Sequence, residues 1–134
     1  MICTSIEQSK KLIELGIDIN TADIIYTNFY GKITKSLPMP KEAYDILKCP
    51  IDGDKYAPGW SLSALLELIP PYLGEFKDGI DFEFSKAMNS KWYSAHYIKF
   101  NDSGLASFNK TVTGDTAIDA AFKMVCWLKE NGKI

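Results

Sequence analysis

The sequence predicts an α+β fold: an antiparallel β-sheet of about three to five strands with about three helices packed on one face. Two observations carry this prediction. Apolar residues recur at helical spacing over 4–15, 61–69 and 116–131, and each segment has a polar cap residue at its start. Three strand-like segments lie in succession over 80–112 with short links, which is typical of an antiparallel meander. The chain of 134 residues is predicted to form a single domain, 1–134.

The first helix is predicted over 4–15. A capping box can form at its start between Thr4 and Glu7 or between Ser5 and Gln8, and both choices stay open. Four residues recur at helical spacing and form one stripe along the helix, so this side of the helix is expected to be buried. This stripe consists of Ile6, Ser9, Leu12 and Ile13.

Two short strands and a long connection follow this helix. The segment 24–29 is rich in β-branched and aromatic residues, and Gly31 is expected to turn the chain into a second strand over 32–35. Four prolines and an Asp-Gly-Asp sequence then predict an irregular connection over 36–59, with a short helix over 41–48 as an option within it. Connections of this length are often functional.

The second and third helices are predicted over 61–69 and 116–131. Ser61 is placed to cap the second helix, and two consecutive prolines end it because proline lacks an N–H group. Thr116 caps the third helix, and Asp119 lies near the positive end of its dipole. The buried stripes are expected to be Leu62, Leu65, Leu66 and Ile69 in the second helix, and Ile118, Ala121, Phe122, Val125 and Leu128 in the third.

The meander is predicted to consist of strands over 80–85, 91–100 and 105–112. The middle strand alternates between two sets of side chains, which a strand places on opposite faces of its sheet. One set is Trp92, Ser94, His96, Ile98 and Phe100, and the other is Tyr93, Ala95 and Tyr97. The alternation does not decide which of the two faces is exposed.

Composition and charge argue against several classes of protein. The net charge is −2 and all fifteen basic residues are lysines scattered along the chain, which makes a dedicated nucleic-acid binder unexpected. No apolar run is long enough to cross a bilayer and no signal-peptide pattern is present, so a cytoplasmic protein without a membrane partner is expected. The three cysteines are far apart, which predicts reduced thiols rather than disulfides or a zinc site.

Candidate chemistry is sparse. His96 is the only histidine, so any Ser-His-Asp or Cys-His device would depend on it, and the sequence cannot show whether a nucleophile lies within reach. The carboxylates at 52–54 and 75–83 lack EF-hand spacing, and none of the nine glycines forms a phosphate-binding loop. We therefore predict no catalytic residue, no metal ligand and no cofactor.

Aromatic residues are the side chains in this sequence that are best suited to binding another molecule. The chain has seven tyrosines, seven phenylalanines and three tryptophans, and exposed Tyr and Trp side chains anchor protein partners or stack on bases. The candidate binding residues are Trp92, Tyr93, His96 and Tyr97. The alternative, that aromatic residues fill the core of a small domain, is favoured for the set as a whole.

Three blocks of the sequence form a distinctive set. They are Thr4–Gly16 with Thr21–Asp23, then Trp60–Pro70 (WSLSALLELIP), and finally Ile118–Gly132, which ends in AAFKMVCWLKENG. Together they resemble a family of small uncharacterised proteins of bacterial genomes, prophages and phages. The resemblance implies a setting among accessory genes of mobile elements, and it implies no activity and no site residues. The 36–59 connection lacks these blocks, so a function housed there would be particular to this chain.

Three functions are considered, in this order. The first is a non-enzymatic accessory protein of the phage or prophage type that binds a protein partner in the cytoplasm. The second is a small-ligand or nucleotide-sequestering protein, in which aromatic rings stack on the base and Lys91, Lys99 or Lys110 meets the phosphates. The third is a hydrolase-type enzyme that uses His96. An open apolar sheet face would also favour a homodimer.

Overall fold

The computed structural model describes residues 3–29, 32–36, 56–74, 79–86 and 91–134. Three α-helices and two antiparallel sheets in this part of the chain confirm the α+β fold. The helices are α1 (Ile6–Glu14), α2 (Leu62–Leu68) and α3 (Ala117–Glu130). The strands are β1 (Ile24–Phe29), β2 (Lys32–Ser36), β3 (Tyr56–Gly59), β4 (Tyr72–Leu73), β5 (Ile80–Lys86), β6 (Tyr93–Phe100) and β7 (Ala106–Gly114).

The chain divides into two compact units, Met1–Leu65 and Leu66–Ile134. The first unit contains a three-stranded sheet in the order β2-β1-β3, and the second a four-stranded sheet in the order β4-β5-β6-β7. Each sheet has a number of strands within the predicted range, but the strands form two separate sheets instead of the single sheet that was predicted. The single-domain organisation stays a prediction.

The third strand of the first unit lies where the sequence predicted an irregular connection, so that prediction was wrong for Tyr56–Gly59. The strand pairs antiparallel with β1, from Ile24 opposite Gly59 to Thr27 opposite Tyr56. Pro58 argued against a strand because it cannot donate to a ladder, but β3 is an edge strand among the strands that the structure describes, and proline is tolerated there. The possible helix over 41–48 lies outside the described residues.

Helix α1 begins with one of the two predicted capping boxes. Ser5 Oγ accepts a hydrogen bond from the Gln8 N–H at 3.1 Å, and Gln8 Oε1 accepts one from the Ser5 N–H at 3.0 Å. Ser9 and Leu12 are buried, and the helix packs against β3. Thr4, the alternative cap, is instead fully buried and accepts a hydrogen bond from the Trp60 N–H at 3.0 Å.

The four-stranded sheet of the second unit contains the predicted meander. Its three long strands pair antiparallel in chain order. The two-residue strand β4, which the sequence did not predict, pairs with the start of β5 through Tyr72 opposite Asp81 and Leu73 opposite Ile80. The Phe82 N–H donates to the Pro71 carbonyl at 2.9 Å, so the two prolines that end α2 lead directly into this strand.

Helix α3 packs against β6 and β7. Thr116 caps it as predicted, because its Oγ1 accepts a hydrogen bond from the Asp119 N–H at 3.1 Å. The buried side chains extend the predicted stripe, while Phe122 is half-buried. They are Ile118, Ala120, Ala121, Met124, Val125 and Leu128. That all three helices lie on one face of a sheet stays a prediction.

Candidate functional site

The four-stranded sheet has two different faces. Directly paired residues of antiparallel strands point to the same side, so the register assigns each residue to a face. Tyr93, Ala95 and Tyr97 lie on the face toward α3, which we call the helix face. We call the opposite side the open face. Its residues are Tyr72, Asp81, Glu83, Ser85, Ser94, His96, Ile98, Phe100, Ala106, Phe108, Thr111 and Thr113.

A β-bulge in β7 decides which side chains reach the open face. Tyr97 pairs with Lys110, but the next residue, Ile98, pairs with Phe108, so Asn109 has no partner in the ladder. Lys110 therefore lies on the helix face, where its Nζ is 5.5 Å from the centre of the Trp127 ring. Phe108 lies on the open face. Strict alternation would have placed Phe108 and Lys110 on the same side.

Large apolar side chains are exposed at the hairpin that joins β6 to β7. The exposed fractions are 53% for Phe100, 68% for Leu105 and 61% for Phe108. We call these three residues the hairpin cluster. Ile98, which pairs with Phe108, is buried. Three neighbouring apolar side chains that remain more than half exposed are typical of a surface that binds another molecule.

The Asn101 side chain makes several hydrogen bonds in the hairpin turn, in addition to the backbone bonds there. Asn101 Oδ1 accepts hydrogen bonds from the N–H groups of Ser103 at 3.1 Å and Leu105 at 2.8 Å. Gly104 has a φ of 80°, a left-handed conformation that glycine adopts without steric cost. These contacts give the hairpin cluster a fixed backbone.

A chain of hydrogen bonds crosses the open face through His96. Its Nε2 lies 3.1 Å from Glu83 Oε2, and its Nδ1 lies 3.2 Å from Ser94 Oγ. The His96 and Ser94 side chains are buried, whereas the Glu83 side chain is 54% exposed. The rings of His96 and Phe108 are nearly perpendicular, at 87°, with 5.0 Å between the ring centres. The hydrogen-bonded group of Glu83, His96 and Ser94 therefore lies next to Phe108 of the hairpin cluster.

A hydroxyl, an imidazole and a carboxylate in contact are the groups of a hydrolase triad, but their surroundings do not suit acyl transfer. In such a reaction, hydrogen-bond donors beside the nucleophile, often backbone N–H groups, stabilise the oxyanion. Ser94 and His96 lie in an interior strand that pairs with β5 on one side and β7 on the other. The backbone donors beside Ser94 are therefore used by the sheet. The arrangement satisfies the polar atoms of a buried histidine.

The structure does not bring the four predicted binding residues together. His96 is on the open face, whereas Tyr93 and Tyr97 are on the helix face. Tyr97 has an exposed fraction of 0%, and its hydroxyl donates to the Pro70 carbonyl at 2.7 Å. Trp92 is 44% exposed and lies just before β6. Tyr97 thus fills the core, as the alternative for the aromatic residues proposed.

Tyr93 is held between neighbours on the helix face. Its ring stacks on that of Phe84 with 6.1 Å between centres, and Lys86 Nζ lies 5.5 Å from its centre. Sequence reasoning placed Phe100 on the same face as His96 but overlooked Phe108. The polar neighbours of Phe108, Ser107 and Asn109, gave no signal of its exposure, because polar–apolar–polar alternation in a strand usually places the apolar residue toward the core.

The burial of Tyr97 should appear in the pH dependence of stability. Burial raises the pKa of the Tyr97 phenol from 10.0 to about 12. Between these values the unfolded chain loses this proton while the folded chain keeps it, so the free energy of unfolding should fall as pH rises from 10 to 12. We expect Tyr97→Phe to have a shallower fall than wild type, measured by urea unfolding at several pH values. Identical slopes in both proteins would contradict this assignment.

Comparisons with known proteins add no relative: no family model, curated protein or solved structure matches the chain. Within the described residues, no helix combines the length and the apolar character needed to cross a membrane. The same residues contain no group of three or more His, Cys, Asp or Glu side chains that could hold a metal ion.

Proposed function

We propose that this chain is a non-enzymatic interaction protein that binds a partner protein through the open face of its four-stranded sheet. The observation that carries this proposal is that Phe100 and Phe108, the two members of the hairpin cluster on the open face, are each more than half exposed. Burying such a cluster against a partner removes apolar surface from water, and phenylalanine is among the residues enriched in protein interfaces.

The second function considered, nucleotide binding, has less support from the geometry. Stacking on a base and contact with phosphates require aromatic rings and lysines on the same surface. The exposed aromatic rings lie on the open face, whereas Lys110 lies on the helix face above Trp127. Two carboxylates, Asp81 and Glu83, occupy the open face beside the aromatic rings and would repel phosphate groups.

The setting that we propose is that of a cytoplasmic accessory protein of a phage, prophage or related mobile element. Its support is the resemblance of the three sequence blocks. In the first unit, residues from the first two blocks meet in one set of hydrogen bonds, for example from the Ser61 N–H to Asp23 Oδ1 at 2.8 Å. These block residues therefore have a role in the fold, which leaves binding to other parts of the chain.

The test uses tagged full-length protein expressed in cells of its source organism, purified gently and weighed by native mass spectrometry. We expect a protein partner to remain with wild type and to be lost from the double variant Phe100→Ser/Phe108→Ser. The matched control is Trp92→Ser, because Trp92 is a large aromatic side chain exposed near the other end of β6. With purified partner, the double variant should weaken binding by about tenfold or more.

Each outcome of this experiment is decisive. Equal retention of the partner by the double variant would refute the hairpin cluster as the binding surface. A complex lost with Trp92→Ser alone would move the site to the other end of the sheet. A complex of twice the chain mass that the double variant lacks would identify the partner as a second copy. A bare monomer from the source cells would contradict the proposal.

A further inference from the structure

We propose that the open face recognises a protein segment that presents an apolar side chain next to a lysine or arginine. This inference rests on the proposed function and names the chemistry of the partner. The observation behind it is the distribution of charge in the sheet. The register places two carboxylates on the face of Phe100 and Phe108 and places lysines on the opposite face.

Negative charge collects on the open face. Asp81 and Glu83 are exposed and alternate along β5 on this side, so their Cα atoms are about 7 Å apart. Glu83 also bonds to His96, but more than half of its side chain remains exposed. Among the twelve open-face residues named above, none is a lysine.

Positive charge collects on the helix face. Lys86 and Lys110 each lie over an aromatic ring there, Lys86 above Tyr93 and Lys110 above Trp127, both with the nitrogen 5.5 Å from the ring centre. These lysines share the side of Tyr97, not that of Asp81. The lysines of β5 and β7 are thus turned away from the two carboxylates, which leaves the open face complementary to a cationic partner.

The spacing suits a single short segment. Asp81, Ile98 and Phe108 form one row across β5, β6 and β7. Adjacent strands are about 4.8 Å apart, so Asp81 lies about 10 Å from Phe108 across the sheet. An apolar side chain seated against Phe108 and Phe100 would leave a neighbouring lysine or arginine within reach of Asp81 or Glu83. Electrostatic attraction would select the partner, while burial of the cluster would supply most of the affinity.

Three synthetic peptides of equal length test this inference on the full chain. One alternates Lys and Leu, the second replaces Lys with Glu, and the third replaces Leu with Ser. We expect the Lys/Leu peptide to bind and to shift the backbone amide NMR signals of β5, β6 and β7. The Glu/Leu and Lys/Ser peptides should each bind several-fold more weakly, because each lacks one half of the recognised pattern.

Two double variants distinguish an effect of the two open-face carboxylates from an effect of the net charge of the protein. Asp81→Asn/Glu83→Gln should weaken the binding of the Lys/Leu peptide by about fivefold, which is the effect expected from the loss of two exposed ion pairs. The control Glu14→Gln/Glu130→Gln removes the same charge from the exposed last residues of α1 and α3, and it should leave the affinity unchanged. Added salt should weaken binding to wild type more than to the Asp81/Glu83 variant.

The possible failures are distinguishable. Equal affinity for the Lys/Leu and Glu/Leu peptides, or equal losses in the two double variants, would overturn the charge preference and leave apolar docking intact. Charge-dependent binding that persists in Phe100→Ser/Phe108→Ser would instead count against the proposed function. If no peptide shifts the signals of the open face, or if an RNA oligonucleotide or an anionic vesicle binds there, the inference is wrong.

Discussion

Trp60→Ala is expected to destabilise the first unit by about 3–5 kcal/mol, the usual cost of removing a fully buried aromatic side chain. Trp60 has an exposed fraction of 0%. Its backbone exchanges two hydrogen bonds with Thr4, from the Thr4 N–H to the Trp60 carbonyl at 2.9 Å and from the Trp60 N–H to Thr4 Oγ1 at 3.0 Å. Its indole Nε1 donates to Thr21 Oγ1 at 2.9 Å. The substitution would therefore leave a cavity and an unpaired hydroxyl acceptor.

Urea unfolding followed by circular dichroism measures this effect. Trp60→Phe should cost less than Trp60→Ala, because it keeps an aromatic ring in the core. Both variants lose the hydrogen bond to Thr21. The control is Trp92→Ala, whose side chain is 44% exposed, with an expected change of about 0.5 kcal/mol or less. A Trp60→Ala variant with the same urea midpoint as wild type would show that Trp60 does not support the first unit.

Gly114→Ala is expected to destabilise the second unit by about 1–3 kcal/mol, because it forces an extra carbon into a packed site. A Cβ at Gly114 would lie 2.5 Å from the Ala120 nitrogen and 2.7 Å from Asp119 Cβ. The nearest atom belongs to the backbone of α3, so it cannot move aside as a flexible side chain would. The end of β7 and the first turn of the helix would have to separate.

The same unfolding measurement applies to Gly114→Ala, with Asp115→Ala as the control. Asp115 is the exposed neighbour of Gly114, so its loss should change the free energy of unfolding only slightly. Gly114→Ala should also reduce the hydrogen-exchange protection of α3 amides, since its clash is with that helix. A stability equal to that of the control variant would mean that β7 and α3 have more room than the structure gives them.

Much of the fold follows from local sequence. Strand β1 and the helix caps at Ser61 and Thr116 were predicted because each depends on residues close together in the chain. The hydrogen bonds of Trp60 to Thr4 and Thr21 join residues far apart, so no local pattern could show them. Strand β3 was missed because its pairing with β1 outweighs the poor strand propensity of its proline.

The candidate site was predictable in part. Its only histidine could be found in the sequence, and the alternation of β6 placed it on the same face as Ser94 and Phe100. Its contact with Glu83 depends on the register between β5 and β6, which the sequence does not specify. Phe108 could not be assigned to a face, because a bulge adds one residue to a strand without a reliable sequence mark.

The bulge at Asn109 has a second consequence, for the self-association of sheets. Among the described strands, β7 lies at the edge of its sheet, and it is nine residues long. An uninterrupted edge of that length is a template on which further strands can add, which leads to fibrous aggregation. The bulge divides the edge into two shorter runs, Ala106–Phe108 and Lys110–Gly114, that no regular strand can follow in one register. The residue that places Phe108 on the open face thus also limits growth of the sheet.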